Sequence, residues 1–302
     1  TDARRFIRVT TNVYDVIVAD LFHPARDGAG SLYTVEHFDA IRERLAMDGL
    51  FCQWLPLHQL DEQMLGVIAH SFVTVFPDAQ MFLLRYNVDA PVIGLVGTFS
   101  RFNYGADWVE QREMSSDLRD ELKRLALGDS LRLLGHFVGD ATLLIPAGSY
   151  DQLNTDDLPL VTFGGPRFVY DTQAAPFGRL AKMIDSRHRM TSAEQVSMWT
   201  GITNDGDFRM RLIRFTRARD EYLRGLLSDL EGQPDVAINA YLESARISDE
   251  FTSGYAQCIS IAAVLARTEP AKARAVLEKL IEAQPAQPLA REMLRRLSPG
   301  TE

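Results

Sequence analysis

Tyr14-Asp15-Val16-Ile17-Val18-Ala19-Asp20-Leu21-Phe22-His23-Pro24 is the stretch that decides the fold class. Val16 to Ala19 is an unbroken apolar run, the pattern of a parallel strand covered on both faces. The strand, 14–20, ends at a carboxylate. A loop closed by Pro24 follows and runs to Gly30 and Ser31 before a helical pattern resumes. In an open α/β sheet, ligands bind beyond the carboxyl ends of the strands, so Asp20 is a candidate to meet one. An Asp at a strand end also caps turns and helices. The residue by itself leaves both roles open.

Outward from this strand, residues 3–9 read as a short helix or turn. Thr34 is a candidate N-cap for a helix over 35–47 that puts Phe38, Ile41 and Leu45 on one face and ends at Gly49. Leu50-Phe51-Cys52-Gln53-Trp54 reads as a second strand. Asp61 then caps a helix over 62–76, with Met64, Leu65, Ile68, Phe72 and Val75 at helical spacing and Pro77-Asp78 as its break. Strands are expected over 80–86 and 91–99. The link from Asn87 to Ala90 is too short for a crossover helix, so that pair is antiparallel. Residues 106–127 read as helical. Short strands are expected at 141–146 and 158–163, the latter closed by Gly164-Gly165-Pro166. From about residue 176 the chain reads as helical to its end.

That tail repeats itself. Pro234-Asp235-Val236-Ala237 returns as Pro270-Ala271-Lys272-Ala273, and Tyr241 and Leu277 keep the same offset; Gly225 precedes the first copy and Pro285 closes the second. The pattern looks like a tetratricopeptide repeat with a slightly long unit. A generic pair of helical hairpins is the alternative.

Composition narrows the function classes. The chain has 302 residues, 46% hydrophobic and 24% charged, which suits one or two domains with sizeable cores. The net charge of -9 argues against a phosphate-backbone binder, so no nucleic-acid partner is expected, while a cationic substrate is compatible with it. Cys52 and Cys258 are the only cysteines, which gives no disulfide framework and no zinc spacing. His37, His58, His70, His136 and His188 are scattered without metal-ligand spacing. No metal is therefore expected. There is no apolar run of about 18 residues and no secretory signal. A cytoplasmic location follows as the expectation.

Three blocks, taken in order, carry a resemblance. They are Tyr14 to Pro24, then Ser31-Leu32-Tyr33-Thr34, then Gly49-Leu50-Phe51-Cys52-Gln53. Together they look like the second half of a spermidine synthase, a polyamine aminopropyltransferase. Asn154-Thr155-Asp156-Asp157 and Pro166-Arg167 are similar to spermidine-synthase-like members of that family. The resemblance covers roughly residues 1 to 170. It implies the C-terminal half of a methyltransferase-like, Rossmann-type α/β sheet over 1–172, with an α-helical, tetratricopeptide-like region over 173–302. A doubly wound nucleoside-binding fold opens with a strand and a Gly-rich turn, and no such turn precedes Asp20. The chain thus reads as a fragment whose N-terminal half-fold is missing, inactive alone. Strand 14–20 is expected at an exposed edge or paired with another chain. Upstream membrane spans would make the whole protein membrane-tethered.

The implied activity is transfer of an aminopropyl group from decarboxylated S-adenosylmethionine, a co-substrate rather than a tightly bound cofactor, to an amine. The resemblance assigns the catalytic base to Asp20 and contact with the adenine amino group to Asp2, which can equally cap the helix from Ala3. It places His23, Tyr33 and Gln53 on the substrate side. His23 departs from the family, which has a second Asp there, and Leu55 stands where an acid often follows the strand Gln. A neutral His cannot supply the lost charge and a protonated one repels the substrate, so the diamine pocket looks altered. Asp156-Asp157 suits a turn or a substrate contact. The alternatives are an S-adenosylmethionine-dependent methyltransferase on the same fold, or a non-catalytic binding module whose helical tail recruits a protein. A partner or second copy could also join through the sheet edge.

Overall fold

The computed structural model describes residues 2–20, 26, 28–101, 103–146, 152–169, 178–188 and 193–297. The chain forms two compact units. One comprises Thr1–Gly105, His136–Met190 and Met198–Gly201; the other comprises Ala106–Gly135, Thr191–Ser197 and Ile202–Glu302.

The first unit is α/β. Helix α1 (Ala3–Val9) leads into β1 (Tyr14–Ala19), α2 (Val35–Arg42), β2 (Leu45–Pro56), α3 (Glu62–Val75), β3 (Gln80–Leu83) and β4 (Val92–Thr98). Five strands form one open mixed sheet in the order β1-β2-β4-β3-β5, with β5 at Phe137–Asp140. β1 and β2 are parallel, and the remaining pairs are antiparallel. The short Asn87–Ala90 link therefore joins an antiparallel pair, as its length requires. Thr34 and Asp61 cap α2 and α3, accepting from the His37 and Met64 backbone N–H groups. Phe38, Phe51, Phe72 and Phe76 are fully buried and pack ring against ring, with centroids 5.1 Å apart for Phe38–Phe72 and 5.5 Å for Phe51–Phe72. Gly97 is required beside them, because a Cβ there would stand 2.4 Å from the Phe76 ring.

Several expected elements are corrected. The helix expected over 35–47 stops at Arg42, because Leu45 already pairs with Tyr14; a register shift between Tyr14 and Val16 carries β2 past Gly49, which lies inside the strand. Within 106–127 only α4 (Ser116–Arg124) is helical. The short α5 (Ser130–Leu134) then precedes β5. The strand expected at 141–146 is a 3-10 turn, Ala141–Leu144, directly after β5. The strand expected at 158–163 is instead the start of α6 (Leu160–Val169), which contains Gly164, Gly165 and Pro166. Packing explains Gly164, since a Cβ there would meet the Met64 sulfur at 2.4 Å. Close approach of α6 to α3 overrides weak helix propensity. β1 lies at the sheet edge, as expected. It is not covered on both faces: Val16 and Val18 are 57% and 54% exposed.

After α7 (Gly178–His188) and α8 (Ala193–Thr200), the chain is helical through α9 (Gly206–Leu230), α10 (Pro234–Ile247), α11 (Ser253–Thr268), α12 (Pro270–Ala283) and α13 (Pro288–Leu297). Pro234 and Pro270 both open their helices, where a missing N–H costs nothing. The repeat positions are equivalent in burial: Ala237 and Ala273, and Tyr241 and Leu277, are all fully buried. Gly225 receives the Tyr241 ring, because a Cβ there would stand 2.3 Å from it. The Tyr241 hydroxyl donates to Asp229 at 2.5 Å. Among the described residues, no helix is long and apolar enough to cross a membrane.

Candidate functional site

Asp20 follows Ala19, the last residue of β1, and is exposed. The parallel register sets Ala19 opposite Gln53, so these two residues meet at the same level of the sheet. Gln53 is fully buried. Its Nε2 donates to the Trp54 carbonyl at 3.1 Å, whereas its Oε1 has no hydrogen-bond partner. A buried amide oxygen left unpaired is costly, on the order of 1–3 kcal/mol, unless something donates to it. His23, with the loop residues from Leu21 to Ala25, lies outside the described residues.

Asp2 is the N-cap of α1. Its carboxylate accepts from the Arg5 N–H at 2.9 Å, and that bond lowers its pKa below the usual carboxylate range. Tyr33 is fully buried, and burial raises its phenol well above the ordinary value. Its side chain belongs to the packed interior.

The Asn-Thr-Asp-Asp motif acts as a clasp. Asn154 is fully buried and donates from Nδ2 to the Gly30 carbonyl at 3.0 Å, while its Oδ1 accepts from the Val161 N–H at 3.1 Å. Its backbone N–H donates to Ser71 Oγ at 2.8 Å. Asp156 accepts from both Arg4 and Arg8, and its own N–H donates to Glu36 at 3.0 Å. Partial burial by itself raises the Asp156 carboxyl, but bonds from Arg4, Arg8 and Thr34 outweigh it and hold the pKa down at about 2. Arg4 also donates to the Ser31 carbonyl at 2.8 Å. The motif thus ties α1, which carries Asp2, to the loop that follows β1.

Beside this clasp lies a cleft of about 310 Å³. Its walls are mostly apolar, with Phe6 and Ile7 of α1, Val16 and Val18 of β1, Ile41 of α2 and Leu32, together with Tyr14 and His37. His37 is 4% exposed, and its Nδ1 has no hydrogen-bond partner. Burial, with Arg4 and Arg8 nearby, pushes its pKa down to about 4 against the opposing pull of Asp156 and Asp2. The ring is neutral at physiological pH. Among the described residues, no group of three or more His, Cys, Asp and Glu could hold a metal ion.

Sequence reasoning passed over Arg4, Arg8 and His37. Arg4 and Arg8 are four apart on one helix and share a face, which signals an anionic partner without naming it. His37 carried no sequence signal, because only its burial without a partner sets it apart.

No family model matches the chain. A polyamine aminopropyltransferase from Caldicellulosiruptor saccharolyticus is 29% identical over 83 residues, which is 28% of this chain and 30% of that protein. The chain therefore spans less than a third of the length of the curated relative that it matches. The similarity is distant and partial, and it agrees with an α/β sheet of Rossmann-like kind.

Proposed function

We propose that the sheet unit is part of a transferase that moves an aminopropyl group from a nucleoside sulfonium to an amine. The single observation that carries the reading is the β1–β2 register, which sets Asp20 one residue from the level of Gln53 and its unpartnered Oε1. The partial similarity to a polyamine aminopropyltransferase supports the reaction class.

The chemistry needs little beyond positioning and a base. A sulfonium is already activated as a leaving group, so holding the reactants in line is the main requirement. The incoming ammonium, with an ordinary pKa near about 10, must lose a proton. In this reading the Asp20 carboxylate takes it. The amine lone pair then attacks the carbon next to sulfur, and the carbon–sulfur bond breaks with its electrons passing to sulfur. A neutral thioether nucleoside leaves. Gln53 Oε1 accepts an amine N–H, and Asp2 faces the nucleoside. The helical unit is read as tetratricopeptide-like, supported by the matched burial of Ala237 with Ala273 and Tyr241 with Leu277.

The test is turnover of decarboxylated S-adenosylmethionine with a panel of amines, assayed in the natural protein that carries this chain. Asp20→Asn is expected to lower the rate by about 10²–10⁴-fold, the contribution of a positioned base, with an unchanged melting midpoint. Wild-type turnover in the variant removes Asp20 from the mechanism. Methyl transfer from S-adenosylmethionine, with no aminopropyl transfer, replaces the reading with a methyltransferase.

A further inference from the structure

We propose that Asp156 is a positioning residue that acts through Asp2: it fixes helix α1 on the sheet unit and so sets where the Asp2 carboxylate meets a nucleoside. The proposal rests on the nucleoside contact that the transfer reading gives Asp2.

The attachment of α1 leads to it. Of its seven residues only Ile7 is buried, while Phe6 and Val9 are 45% and 69% exposed. A helix this short is marginal unless tertiary contacts hold it, and one buried apolar side chain leaves its direction and rotation open. The rest of its hold is polar. Arg4 and Arg8 lie one turn apart on the same face and both donate to the Asp156 carboxylate, Arg8 at 2.9 Å. Arg4 also donates to the Ser31 carbonyl at 2.8 Å, and Arg44 Nε donates to the Ile7 carbonyl at 3.4 Å. Asp156 is itself anchored. Its N–H donates to Glu36 at 3.0 Å, and the fully buried Asn154, two residues before it, bonds Gly30, Val161 and Ser71. Two guanidinium groups on one anchored carboxylate fix both the direction and the rotation of α1. Asp2 caps that helix, its carboxylate accepting from the Arg5 N–H at 2.9 Å, so it moves with α1 as one body.

The test uses the natural protein that carries this chain. In Asp156→Asn, hydrogen exchange of the α1 amides from Phe6 to Thr10 should quicken about two- to fivefold, the scale of an exposed ion pair. The β2 and α3 amides should keep their wild-type rates. Affinity for methylthioadenosine, the thioether nucleoside that the proposed transfer releases, should fall by a similar factor. Asp2→Ser keeps α1 capped and should also weaken this nucleoside. Adding Asp156→Asn to Asp2→Ser should then cost nothing more, because both act at one contact; a merely structural role would make the losses additive. Arg8→Gln, an exposed change that removes one arm of the clasp, should quicken α1 exchange in the same sense and decides the matter if the Asp156 variant misfolds. The proposal is overturned if α1 exchange is unchanged in the folded variants, if the losses add in the double variant, or if the wild type does not bind methylthioadenosine. Binding that behaves as expected without aminopropyl turnover overturns the transfer reading and supports the positioning role.

Discussion

The two units differ in how many of their buried polar groups are left without a partner. In the helical unit most of the described ones are paired, with Arg209 Nε an exception. Arg219 and Asp220, both almost fully buried, form an ion pair at 2.6 Å, and Arg219 also donates to the Gly135 carbonyl. Ser244 donates to the Ala218 carbonyl at 2.6 Å, and Gln284 to the Ala245 carbonyl at 2.8 Å. In the sheet unit, Gln53 Oε1 and His37 Nδ1 are buried without partners, beside an edge strand whose valines are half exposed. A protein that satisfies its interior polar groups as a rule leaves exceptions where another molecule completes them. The comparison therefore fits the proposed reading, in which the sheet unit carries the binding chemistry.

That contrast can be broken at its strongest point. Asp220→Ala strands the buried Arg219 charge and is expected to destabilise the helical unit by about 3–5 kcal/mol, read by denaturant unfolding. A loss below about 1 kcal/mol would show that the pair is not a structural anchor.

A smaller effect sharpens the account of the repeat. Gly225→Ala places a methyl against the Tyr241 ring, and the overlap should cost about 1–3 kcal/mol despite the helix propensity gained. Leu277 fills the equivalent position in the next copy, so adding Tyr241→Leu should recover most of that loss. Failure of the double variant to recover would place the strain elsewhere.

The smallest effect concerns the clasp on α1. Asp156 is a third exposed, so its pairs with Arg4 and Arg8 should contribute only about 0–1 kcal/mol at neutral pH. Its carboxyl pKa is depressed on folding. The contribution is thus present above the unfolded value of about 4 and lost as pH falls toward about 2. Stability compared between wild type and Asp156→Asn should converge across that window. A difference that persists unchanged at pH 2 would show that the clasp does not titrate.

Much of this fold was legible from residue order. Thr34 and Asp61 were readable as caps because their side chains act on the next turn, which is local chemistry. The antiparallel β3–β4 pair followed from a link too short to cross over. The helix at Leu160 was not legible, since Gly164-Gly165-Pro166 reads as a stop until Met64 is found against Gly164. Helix α2 was overdrawn for the same kind of reason. Leu45 fits the helical face as well as the strand, and only pairing with Tyr14 decides between them.

The site divides along the same line. Asp20 could be chosen from sequence as a strand-end carboxylate, and Gln53 through the family resemblance. That Ala19, the neighbour of Asp20, pairs with Gln53 was decided by strand register, which no single segment contains. Arg4 and Arg8 lie far from Asp156 along the chain, and nothing local links them. His37 looks like any first-turn helix residue in the sequence. Only the packed chain buries the ring and leaves its Nδ1 without a partner, because burial and hydrogen-bond satisfaction belong to the packed chain and not to its residues taken in order.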